Sequence, residues 1–147
     1  TGTTPVGRYY PTGVMDTSTS TRRILYHGGY DTAGTRNDTY ELVLSSTPAW
    51  GSSALPSATV NRSHHAYCID ATAVQVLAFA GFGPLNSLEG FDITQGSSGT
   101  WGYSTSTGAP AARYWVSGVW DTTHSRFVIY GGRLSGGTAT NDVWEFK

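Results

Sequence analysis

Three short segments hold most of the side chains suited to recognition chemistry: Arg8-Tyr9-Tyr10, Arg62-Ser63-His64-His65 and Arg113-Tyr114-Trp115. Each joins a forked guanidinium donor to an aromatic or imidazole ring. Aromatic faces stack on sugar C–H surfaces and on peptide side chains, and arginine adds paired hydrogen bonds. Arg8, Tyr10, Arg62, His64, Arg113 and Trp115 are therefore candidate binding residues for a saccharide or a peptide. For the three arginines a scaffold role ranks first, with each pairing to an acid or a carbonyl of the neighbouring unit, because a position that recurs serves the repeat before it serves a ligand. The loops 30–36, 82–86 and 133–140 differ from one another in sequence. Such variation suits a binding face and equally suits unconstrained surface loops; it adds Tyr30, Arg36, Phe82 and Arg133 to the candidates.

Catalytic chemistry finds less support. His64 and His65 are adjacent, and neighbouring residues of a strand point to opposite faces, so they do not chelate one ion together. His27 and His124 are distant in sequence, and no convergent ligand set for copper or another metal stands out. There is no Gly-x-Ser-x-Gly elbow, no His-Glu-x-x-His helix and no phosphate loop. Asp38, Glu41, Glu89 and Asp142 are available carboxylates, but nothing in their spacing marks a glycosidase pair. Cys68 is the sole cysteine and reads as a small buried apolar residue. No metal and no cofactor is implied. Asn37-Asp-Thr39 and Asn61-Arg-Ser63 are glycosylation sequons, making Asn37 and Asn61 the candidate acceptors.

The elements that position these residues follow from an internal repeat. Arg8, Arg62 and Arg113 each precede an aspartate by eight residues, at Asp16, Asp70 and Asp121. The glycines Gly29, Gly81 and Gly132 are spaced by 52 and 51 residues, and Trp50 and Trp101 by 51. Each copy predicts a four-stranded antiparallel meander. Strand a lies at 66–69 and 115–120, and an aspartate that caps its own backbone turns the chain after it. Strand b is the most apolar, at 74–80 and 127–130, as expected of a strand covered on both faces. Strand c alternates at 40–44 and 143–146, and a tryptophan opens strand d.

These residues resemble kelch repeats: a Gly-Gly doublet after an apolar strand, Asn-Asp-x-aromatic at strand c, and the strand d tryptophan. The second copy departs, with Ala80-Gly81 and Leu88-Glu89 at the doublet and the Asn-Asp. The spacing is looser than in compact kelch motifs and is similar to that of secreted propellers such as galactose oxidase. The resemblance implies an all-β fold of kelch-like β-propeller blades, at about 8–54, 62–105 and 113–147, the third lacking its outer strand. Propellers typically close with four to eight blades. Three are therefore expected either to pair as a homo-oligomer, a dimer completing a six-blade ring, or to be an excerpt of a larger propeller. The start at Thr1, without an initiator methionine, reads as a processed product or an excerpt.

Composition narrows the function. A quarter of the chain is Thr or Ser (21 and 16), 13% is aromatic, and the only lysine is Lys147. A net charge of −1 offers no field for nucleic acid, and no apolar stretch is long enough for a transmembrane helix. The expectation is a non-catalytic binding or assembly module at an extracellular or cell-surface location, presenting variable loops to protein or glycan partners. The alternative is part of a secreted carbohydrate-active enzyme, galactose-oxidase-like, on the same scaffold.

Overall fold

A computed structural model of the chain describes residues 2–51, 55–83, 85–104 and 108–147. The ends of the first two expected units, at 52–54 and 105, lie outside the described residues, as does residue 84 of the loop 82–86. The chain is all-β, built of antiparallel sheets of which none is closed among the described residues. Strands β1 (Thr12–Asp16) and β2 (Arg23–His27) are followed by a ribbon of β3 (Tyr30–Asp31) and β4 (Gly34–Thr35), then by β5 (Thr39–Val43) and β6 (Ala49–Trp50). The first sheet has the order β1-β2-β5-β6. The second is the meander β7 (Ala66–Asp70), β8 (Gln75–Phe79), β9 (Leu88–Asp92) and β10 (Trp101–Ser104). In the third, β11 (Arg113–Tyr114), β12 (Ser117–Asp121) and β14 (Ala139–Phe146) all pair with β13 (Arg126–Leu134). β7 lies between β1 and β12, so the first long strands of the three sheets run side by side.

The strands occupy the predicted segments with adjusted ends. Trp115, expected inside strand a, precedes β12 with a φ of 58°, and β8 stops short of Val74 and Ala80, whose φ values are 52° and 66°. The aspartates cap their turns as expected. Asp16 accepts from the Ser18 N–H (2.8 Å), Asp70 from the Thr72 N–H (2.9 Å) and Asp121 from the Thr123 N–H (3.1 Å).

Two apolar seams hold the sheets together. Leu25 packs with Tyr67, Val76, Ala78, Phe91 and Trp101 between the first and second sheets. Cys68 and Phe79 pack with Val116, Phe127 and Ile129 between the second and third. Side chains alternate across a strand, so consecutive residues of β8 serve opposite seams: Val76 and Ala78 one, Leu77 and Phe79 the other. This double coverage explains its unbroken apolar run. Each large side chain buried in this way contributes about 1.5–3 kcal/mol.

The repeated arginine turns inward in every copy. Arg8 pairs with both carboxylate oxygens of Asp38 and donates to the Gly28 carbonyl (2.9 Å). Arg62 donates to Glu89 Oε2 from Nε (3.2 Å) and Nη2 (3.0 Å), and to the Ala80 carbonyl (2.6 Å). Arg113 grips Asp142 (2.6 and 2.9 Å) and the Gly131 carbonyl (2.9 Å). These partners belong to the arginine's own unit, not to the neighbouring one as expected. Gly28, Ala80 and Gly131 share φ values of 62°, 66° and 67°. Ala80 thus holds the left-handed conformation that a glycine adopts freely, and Glu89 replaces Asp as the carboxylate. The second copy departs in sequence but keeps the interaction.

Backbone bonds repeat across both seams. The Gly29 N–H donates to the Arg62 carbonyl (2.8 Å), the Arg36 N–H to the Gly29 carbonyl (2.9 Å) and the Arg62 N–H to the Arg36 carbonyl (2.7 Å). One unit on, Gly81 donates to Arg113 (3.0 Å), Leu85 to Gly81 (3.2 Å) and Arg113 to Leu85 (3.0 Å). The arginine that clamps its own sheet therefore also fastens it to the one before.

Glu89 and Arg62 are both fully buried. Removing the carboxylate takes away the charged acceptor that Arg62 Nε and Nη2 share in a buried site, so Glu89→Ala is expected to cost about 3–5 kcal/mol. Glu145→Ala, which breaks the solvent-exposed pair with Arg126, should cost no more than about 1 kcal/mol. Urea unfolding of the two variants checks this; equal losses would refute the structural role of the buried clamp.

Candidate functional site

The backbone turn after each arginine places the next-but-one residue in the left-handed region: Tyr10 (φ 53°), His64 (φ 56°) and Trp115 (φ 58°). Bulky residues rarely adopt this conformation. In each case the chain reverses from the buried arginine and sends the following ring outward. Tyr10 is 60% exposed and Trp115 54%.

Because the first long strands lie side by side, these equivalent turns meet at one end of the sheets. The Tyr10 and His64 rings are 3.9 Å apart between centroids, and His64 is 5.7 Å from Trp115. Phe82, half exposed, lies 6.0 Å from His64 and 5.5 Å from Tyr114, which contacts Trp115 at 5.0 Å. The Arg133 guanidinium sits over Trp115 (5.5 Å) and Tyr114 (6.0 Å), a cation–π arrangement that caps the row. Tyr9 extends it at the other end, 6.2 Å from Tyr10. The result is a continuous exposed ridge of rings crossing all three sheets. Its turns are locked by backbone bonds from the Phe82 N–H to Ser63 (2.8 Å) and from the Trp115 N–H to His64 (2.8 Å).

Of the sequence candidates, Tyr10, His64, Phe82, Trp115 and Arg133 come together on this ridge. Arg8, Arg62 and Arg113 lie beneath it in the clamps. Tyr30, 43% exposed, pairs its backbone with Tyr9 at the ridge's edge. Arg36 is engaged by Asp31 (2.7 Å), whose carboxyl it holds below the usual aspartate range. Asn37 donates to the Ala58 carbonyl (2.6 Å), whereas Asn61 is exposed. Tyr9 and Tyr114 were visible beside the candidate positions in the sequence, but only the turn geometry brings them into the row. Partial burial lowers the His64 pKa, favouring a neutral ring that stacks without a charge to desolvate. Ser63 Oγ lies 3.0 Å from His64 Nδ1, but Ser63 is buried beneath the ring, so the groups the ridge presents are rings and a guanidinium, suited to stacking and hydrogen bonding.

A second cluster lies inside the first seam. His27 and His65, far apart in sequence, are buried with ring centroids 5.2 Å apart, and Tyr67 lies within 6 Å of both. His65 points into the seam while His64 faces out; neither lies in a strand, and the left-handed turn at His64, not the strand alternation expected, parts them. Thr39 Oγ1 holds His27 Nδ1 (3.1 Å), and Thr12 Oγ1 holds His65 Nε2 (2.7 Å). His27 Nε2, His65 Nδ1 and the Tyr67 hydroxyl are buried without a hydrogen-bond partner. Among the described residues no group of three or more His, Cys, Asp or Glu side chains is placed to hold a metal ion. On the opposite, open face of the first sheet, Pro5, Arg8, Pro11, Tyr26, Tyr40 and Trp50 are among the residues lining a 240 Å³ apolar cavity.

Burial pushes the His27 pKa down to about 3, with the Arg62 charge acting in the same direction; His65 is lowered by burial and by His27. Both rings are neutral in the fold, whereas in the unfolded chain they protonate near pH 6.5. The unfolded state therefore binds more protons between about pH 6.5 and 3, and stability falls as pH drops through that window, by about 1.4 kcal/mol per pH unit for His27. His27→Phe, which installs the residue type of Phe79 at the equivalent position, should flatten this part of the dependence. Urea midpoints at pH 7 and pH 4.5 test it; parallel slopes for variant and parent would rule out the histidine.

No family model matches the chain, and the search of curated proteins finds no match.

Proposed function

We propose that the chain is a run of three kelch-like propeller blades acting as a non-catalytic binding and assembly module, with the aromatic ridge as its binding face for a protein or glycan partner. It stands as half of a six-blade ring or as part of a larger propeller. The observation that carries this reading is the recurrence of Tyr10, His64 and Trp115 in left-handed backbone positions. Such a conformation costs a non-glycine residue of order 1–2 kcal/mol, and glycine would remove that cost. The rings do not repay it by filling the core, since Tyr10 and Trp115 are more than half exposed. Strain retained at an exposed aromatic position is a mark of a functional surface. A row of rings crossing three rigid sheets offers an extended ligand several stacking positions already in place, so little ordering entropy is spent on binding.

Replacing Tyr10, His64 and Trp115 together by glycine tests this. The triple variant should unfold no earlier than the parent in urea while losing its ligands on glycan and peptide arrays. A stability loss above about 2 kcal/mol would assign the rings to packing, and arrays left blank by the parent would sink the binding reading.

A further inference from the structure

In each sheet, one face is turned toward the preceding unit and the other toward the following unit. The repeat register makes these faces comparable residue by residue. On the forward-turned face, Val14 of the first sheet and Cys68 of the second are equivalent to Val119 of the third. Likewise Leu25 and Leu77 correspond to Val128, and His27 and Phe79 to Tyr130. The residues of the first and second sheets lie in the seams or buried beside them. In the third sheet Val119 is 62% exposed and Tyr130 55%. Val143, on the same face through its pairing with Tyr130, is 65% exposed.

The backward-turned face shows the complementary pattern. Ile69 and Trp120 pack on the two seams, and their equivalent in the first sheet, Met15, is 44% exposed. Val76 and Phe127 lie in the seams, and their equivalent is Ile24. Phe91 and Trp144 likewise correspond to Tyr40, and Trp101 to Trp50. Both end faces are thus core surfaces of the repeat, one of each hand, and among the described residues neither is packed against another sheet. Two like-handed faces have no precedent for pairing in this fold, whereas the pairing of opposite faces is already made twice.

We propose that the forward face of the third sheet (Val119, Val128, Tyr130) docks on the backward face of the first sheet (Met15, Ile24, Tyr40) of a second copy, in the register of the two internal seams. The occupant is a second copy because the new seam continues the existing interface with the same residue classes at equivalent positions. It is head-to-tail, and two copies supply one face of each kind to two such seams. The seam rests on reading the three sheets as repeated units and is independent of any ligand at the ridge. Val119 and Met15 come to lie against hydrocarbon, as Cys68 and Trp120 do in the second seam.

The test is the solution mass of the whole chain by light scattering, with two single variants, Val119→Asp and Met15→Glu. Both residues are exposed in the single chain, so near-UV circular dichroism of each variant should match that of the parent. The parent should run at twice its 15.7 kDa. Each variant alone should dissociate, with the dimer constant weakened about 100-fold or more by a charge forced into an apolar contact. An equimolar mixture of the two should associate again, since each keeps the face the other has lost. A parent that remains monomeric at millimolar concentration overturns the proposal, as does a Met15→Glu variant that dimerises as well as the parent, or a mixture that fails to associate. A monomeric parent that still binds its array ligand leaves the ridge standing and removes only this interface.

Discussion

The fold depends on one side chain used in two ways. In each unit an arginine is buried against a carboxylate and against a carbonyl turned toward it by a left-handed residue. In the second and third units the same arginine's backbone also bonds to the preceding sheet. A guanidinium has five donors in a rigid fork and cannot shed its charge, so it can satisfy all these acceptors only from one position. That position fixes the end of the second strand, the start of the third and the spacing between sheets. Because the clamp consumes the guanidinium, the next residues are free to leave the core, and the tight turn sends them to the surface. Scaffold and ridge are two sides of one turn.

Much of this was legible in the amino-acid sequence because it is punctuated by a few residue types. The arginine-to-aspartate interval, the glycines and the tryptophans marked the strands closely, and the aspartate turns behaved as their chemistry dictates. The deviation of the second copy, which weakened the pattern in sequence, proved superficial. Ala80 accepts a left-handed φ and Glu89 supplies a carboxylate, so the interaction survives while the motif does not. A motif records the easiest residues for a geometry, and the geometry outlasts them.

What stayed hidden depends on positions distant along the chain. The partner of each arginine could be narrowed to acids or carbonyls, but only the course of the second and third strands shows that it lies within the same unit. His27 ends β2 and His65 stands just before β7 of the next unit; they meet because one unit's forward face is packed on the next unit's backward face. The ridge was half visible: its rings could be picked out as candidates, yet their joining into a row depends on strands that lie side by side. The glycan or protein chemistry of its ligand leaves no comparable mark, since stacking surfaces suit both.

The two internal seams share their backbone bonds but not their contents. The second is filled by hydrocarbon and one thiol whose pKa burial raises, whereas the first encloses two imidazoles and a phenol with unanswered polar atoms. Water and acid therefore have a reason to enter one seam and none to enter the other. An array that looks uniform along its length is thus chemically uneven at its joints: the acid sensitivity that its buried histidines carry is confined to the boundary between its first and second sheets.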